Sequence, residues 1–155
     1  MNMLAGVEYV GFWSRVGASI IDSILILLLT TPIMYLIYGP RYFTDNKQLI
    51  AGGWDFMATW VLPAVAVIVF WIYRSATPGK IILGMRIVDA ETGGKPSTGQ
   101  LIGRYFAYYV SAIPLSLGFL WIAFDKRKQG WHDKLAGTVV IRSNRSEPVK
   151  FEPQV

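Results

Sequence analysis

Apolar positions fall into three long blocks, separated by polar segments that hold most of the charge. The first block runs from Trp13 to Pro40. It carries Arg15 near its start and Asp22 inside it, and beyond Asp22 no charge appears until Arg41. Crossing a hydrocarbon core takes about 20 residues at ~1.5 Å rise each, so this block predicts a first transmembrane helix over residues 12–38. Phe56 to Tyr73 is uncharged, with Trp60 and Trp71 toward its ends, and predicts a second crossing over 56–73. The third block, Tyr105 to Phe124, is interrupted by Pro114, with Ser111, Ser116 and Gly118 around it. It predicts a broken helical segment over 101–124.

The polar segments predict smaller elements. Tyr9, Phe12 and Trp13 read as an interfacial belt where the first helix enters. Gly39 to Asp55 is a polar loop with a Gly52-Gly53 turn. Lys80 to Asp89 is too short and too charged to span, and its β-branched and apolar residues predict a strand. A turn over Glu91–Pro96 follows, and Ser97 with Gln100 forms a capping box opening a helix at about Gly99. Thr138–Arg142 is a second short strand, able to pair with Ile81–Val88. Residues 143–155 are polar, contain two prolines, and predict a flexible tail. The whole chain, 1–155, reads as one membrane domain.

Charge placement orients these elements. If all three blocks crossed once, the basic segment with Arg74, Lys80, Arg86 and Lys95 would lie opposite the cluster Lys126-Arg127-Lys128. If 101–124 instead enters and returns, both basic segments and both termini are cytoplasmic, as the positive-inside rule favours. The expected fold is therefore an α-helical integral membrane protein. It has two transmembrane helices, a proline-broken re-entrant third segment and a small cytoplasmic β element, placed in the bacterial inner membrane with cytoplasmic termini.

Composition narrows the function classes. With no cysteine there is no disulfide framework, thiolate metal site or cysteine nucleophile. The net charge of +5 is not a nucleic-acid signature, because the basic residues sit in loops beside apolar runs. The first block is too long for a cleaved signal and lacks a basic leader and a small-residue cleavage site. Thr77-Pro78-Gly79-Lys80 lacks the spaced glycine and the Lys-Ser/Thr ending of a phosphate-binding loop, and reads as a turn. His132 is the sole histidine, a thin basis for catalysis, so an enzyme is not expected and no cofactor or metal is implied.

Asp22 is the candidate with the strongest physical claim. An ionised Asp near the middle of a spanning helix costs roughly 2.5–3.5 kcal/mol on insertion scales. Arg15, seven residues earlier, shares its helix face about 10 Å along the axis, and Ser19 and Ser23 lie near the same seam.

Three ordered motifs carry a family resemblance: Arg15-Val16-Gly17-Ala18-Ser19-Ile20-Ile21-Asp22; Thr77-Pro78-Gly79-Lys80 followed by Gly84-Met85-Arg86-Ile87-Val88; and Gln129 through Val140. They resemble the RDD family of bacterial membrane proteins, named for an arginine and two aspartates. By position, Arg15 is the family arginine and Asp22 its first aspartate, while the second is Asp133 or its neighbour Asp125. The resemblance implies a transport role, with cation/proton exchange suggested for some members. Two functional expectations follow. In one, Asp22 binds a proton or a monovalent cation, tuned by Arg15 and helped by Asp133, Ser19 and Ser23, with Asp125 and His132 as further candidates. Because two crossings and a hairpin enclose no pathway, this requires a homo-oligomer. In the other, the protein is an accessory or regulatory partner of another membrane protein, and the Arg/Asp network is structural.

Overall fold

The structure is a computed structural model that describes residues 3–4, 7–44 and 52–142. The expected tail at 143–155 and most of the charged loop near 45–51 lie outside the described residues. The first apolar block forms helix α1, Phe12–Tyr38, with the boundaries expected from its hydropathy. After a single turn, α2 (Arg41–Thr44), the second block forms one continuous helical stretch over Gly53–Arg74. That stretch comprises α3 (Gly53–Phe56), one wide π turn (Met57–Val61) and α4 (Leu62–Arg74). Pro63 has no N–H to return to the Thr59 carbonyl, and the helix widens just ahead of it. Both stretches are long and apolar enough to cross a membrane. Their leucines point outward, Leu28 being 69% and Leu36 83% exposed, an apolar surface far beyond what a water-soluble monomer presents.

The strand expected over Ile81–Val88 starts later. Pro78–Ile82 is instead a short helix, α5, with extended Thr77 at its N-cap and Pro78 at its first position. Gly84, at φ +66°, turns the chain into strand β3, Met85–Asp89. β3 runs antiparallel to β4 (Thr138–Arg142), with Ile87 opposite Val140, which is the expected pairing. Two strands were not foreseen: β1 (Met3–Leu4) and β2 (Val7–Tyr9), which complete a sheet of order β1-β2-β4-β3. Thr138 to Ile141 of β4 are buried on both faces, which is why they read as an unbroken apolar run. One face joins Val10, Ala18, Trp71, Leu101 and Val140 in the main core, and the other packs Val88, Val139 and Ile141 against Tyr9.

Between β3 and β4 lies the broken block. Helix α6, Thr98–Ala112, opens on the expected capping box. The Gln100 N–H donates to Ser97 Oγ (3.2 Å), and the Ser97 N–H to Gln100 Oε1 (2.8 Å). Helix α7, Leu117–Phe124, leaves α6 at 99° across a turn in which Leu115 and Ser116 both take left-handed backbone angles. Gly118 makes that corner possible, since a Cβ there would lie 2.6 Å from Ser111 Cα. The segment thus departs from the sheet after β3 and returns to it, through α8 (Trp131–Leu135), at β4.

Candidate functional site

Arg15 and Asp133 meet beneath the sheet. Arg15, in the first turn of α1, is 7% exposed and spends all three of its donor nitrogens. Nε donates to the Val10 carbonyl (3.0 Å), Nη1 to Asp133 Oδ2 (2.5 Å) and Nη2 to the Lys128 carbonyl (2.5 Å). Asp133 belongs to α8, where it reaches back to accept the Gly130 N–H (2.9 Å). Its other oxygen accepts from Arg104 Nη1, which also donates to Thr138 Oγ1 (2.6 Å). Asp133 and Arg104 are both fully buried. Burial alone would raise the carboxyl pKa, but Arg104 and Arg15 outweigh it and hold Asp133 well below the usual carboxylate range. The carboxylate is therefore a fixed negative charge at neutral pH.

His132 sits beside this pair. Its backbone N–H donates to Ser111 Oγ (3.0 Å), and its Nδ1 lies 3.2 Å from the same hydroxyl. The ring stacks on Tyr108 at 4.2 Å, and Nε2 is 3.6 Å from Asp133 Oδ2. Burial pushes its pKa down to about 3, so the ring is neutral at pH 7 and acts as a packing and hydrogen-bonding group.

Asp22 does not pair with Arg15. Its Oδ1 accepts the Gly79 N–H (2.7 Å) and its Oδ2 the Thr77 hydroxyl (2.5 Å). It therefore caps the N-terminus of α5 from a different helix, where backbone donors lack partners and a negative charge is favoured. Gly79 is obligatory at this contact, because a Cβ would lie 2.2 Å from the Ala18 carbonyl oxygen. Ser19 Oγ turns back to the Arg15 carbonyl (3.0 Å), and Ser23 is exposed on the same face.

Asp125 stands apart from this network. It ends α7, pairs with Lys134 and accepts the N–H groups of Arg127 (3.0 Å) and Gln129 (3.1 Å). Of the two aspartates weighed from the sequence, Asp133 is the one that binds Arg15. Arg104 was not foreseen. Its signal was a lone charge between Leu101-Ile102 and Tyr105-Phe106, which a buried partner was needed to explain. Among the described residues no cluster of three His, Asp or Glu side chains could hold a metal ion.

Two adjoining clefts open beside these groups and share Ser19, Ser23, Lys80 and Tyr108. One, of about 320 Å³, also touches Asp22 and Trp71; the other, of about 590 Å³, also touches Arg15, Phe119 and His132.

Two long apolar helices beside a small sheet define a membrane protein with a buried arginine–aspartate pair. The family model described as "RDD family" matches residues 9–137, and the chain belongs to that family. A Rickettsia prowazekii protein is 46% identical over 76 residues, covering 49% of this chain and 42% of its own length, so this chain matches less than half of that relative. YxaI of Bacillus subtilis is 34% identical over 146 residues, covering 84% of this chain and 95% of its own. The B. subtilis membrane protein YteJ is 26% identical over 138 residues, covering 86% and 80%. No solved structure matches.

Proposed function

We propose that the protein is a non-enzymatic accessory or regulatory protein of the bacterial inner membrane, in which the arginine–aspartate network is structural. Helix α1 and the Gly53–Arg74 helix cross the bilayer, α6 and α7 enter and return, and both termini are cytoplasmic. This topology is supported by the sheet, which joins segments from before α1, after α4 and after α7. The exposed helix faces then serve to dock a membrane partner or a second copy. One observation carries this reading: both oxygens of Asp22 and both of Asp133 are already taken by donors of the protein itself. Engagement of every carboxylate oxygen by a donor of the fold suits a lock between elements.

The second reading is monovalent cation/proton exchange at Asp22 in an assembly of several copies. It is favoured by the position of Asp22 on α1, partly exposed at a cleft that Ser19, Ser23 and Thr77 also line. Proton flux driven by sodium or potassium gradients in vesicles separates the two. The accessory reading expects no ion-coupled flux from wild-type protein. Flux that Asp22→Asn abolishes in a folded protein would replace it with exchange.

A further inference from the structure

The acidic groups of the site are satisfied, but one of its cations is not. Lys80 is only 7% exposed, and its Nζ has no hydrogen bond or ion pair among the described residues; it lies 5.5 Å from the centre of the Trp71 ring. An ammonium group buried in that way is costly unless an anion faces it.

Around it the charge balance is positive. Arg15, Lys80 and Arg104 stand against Asp22 and Asp133, three cations to two acids. Arg104 keeps Nε and Nη2 without hydrogen-bond partners, and its guanidinium lies 5.5 Å from the Trp71 ring and 5.7 Å from the Tyr108 ring. Both rings line the smaller cleft, so Arg104 charges the aromatic wall from behind.

We propose that the paired clefts at Lys80 bind an anionic phosphate or carboxylate group, held by the Lys80 ammonium and by the hydroxyls of Ser23 and Tyr108. Lys80, Ser23 and Tyr108 line both clefts, so the named residues border each of the two adjoining spaces. Lysine suits the task as a point charge toward phosphate. Burial lowers the Lys80 pKa, and a bound anion would reverse that penalty. At the mouth of the larger cleft Ile20 is 55% and Ile24 51% exposed, and Phe119 and Ile122 form another wall. This amphipathic lining fits a head group carrying an apolar chain, and so a phospholipid as well as a free anion. The inference goes beyond the accessory reading and does not depend on a partner.

The test is binding to the purified 155-residue chain in a zwitterionic detergent. The probes are phosphatidylglycerol, phosphatidylcholine and inorganic phosphate. Wild type should bind phosphatidylglycerol at least tenfold more tightly than phosphatidylcholine. Lys80→Gln should lose that preference, and Lys95→Gln, an exposed lysine elsewhere, should keep it. A Lys80-dependent response to inorganic phosphate alone would identify a free anion as the source; a response to the lipid alone identifies the head group. If Lys80→Gln does not fold, Ser23→Leu obstructs the cleft from an exposed helix position and should weaken the same binding at least tenfold. Equal binding of both lipids and no phosphate binding by wild type would overturn the proposal, as would anion binding unchanged in Lys80→Gln or in Ser23→Leu.

Discussion

Arg15 and Asp133, 118 positions apart, are joined by a hydrogen-bonded ion pair of 2.5 Å with both side chains withdrawn from solvent. The pair ties the first turn of α1 to α8, and Arg104 extends it to the broken block. Such a triad is costly to bury, and that cost is offset while both guanidinium groups face the carboxylate.

Asp22 and Gly79 form a second tie, between α1 and α5. Gly79→Ala would drive a methyl into the Ala18 carbonyl, and overpacking of that kind costs about 1–3 kcal/mol. The melting temperature of the purified protein in detergent should fall accordingly. Gly84→Ala, where a Cβ meets open space but φ is +66°, should cost less, about 1 kcal/mol. Equal melting of Gly79→Ala and wild type would show that the two helices do not pack this closely.

How much of this was legible beforehand differs by element. The two long helices could be read because an apolar run of that length has few other uses. The α6 capping box was likewise local, with donor and acceptor three residues apart. Strands β1 and β2 were not legible: two or three residues have no pattern of their own, and β2 forms by pairing with β4, more than 130 positions later, while β1 pairs with β2. Helix α5 was misread as strand because Ile81 and Ile82 outweighed the start signal of Pro78. The Arg15–Asp133 contact was one of two options that the charges allowed. The role of Asp22 was hidden, because its partners Thr77 and Gly79 lie 55 and 57 residues away.

His132 predicts an acid sensitivity. Its folded pKa is depressed to about 3 from an ordinary 6.5, so the unfolded chain binds the extra proton between those values. Stability from the neutral ring is full above pH 6.5 and falls as pH drops through that window, by about 1.4 kcal/mol per unit. Asp133, also depressed, adds a further loss below about pH 4. Melting temperatures should be flat from pH 7 to 8 and decline from pH 6.5 to 4.5. His132→Gln should be less stable at pH 7 but flatter over the acid range. A wild-type profile without decline in that range would contradict the burial of this ring.

Sidedness can be read from single cysteines, since the chain has none of its own. Residues 41, 95 and 126 are exposed positions for this purpose. Cysteines replacing Lys95 and Lys126 should react with an impermeant reagent from the same, cytoplasmic side, and one replacing Arg41 from the other. Labelling of positions 95 and 126 from opposite sides would make the α6–α7 block a full crossing.

The most direct test of the lock is a double-mutant cycle on Arg15→Met and Asp133→Asn, read as unfolding free energy in detergent. Asp133→Asn strands two buried guanidinium groups and should cost about 3–5 kcal/mol, with Arg15→Met costing less because Arg104 still faces the carboxylate. Residues in direct contact couple by roughly 0.5–3 kcal/mol, so the double variant should be at least about 1 kcal/mol more stable than the sum of the singles predicts. Additive losses, or an Arg15→Met protein that unfolds like wild type, would contradict a structural lock.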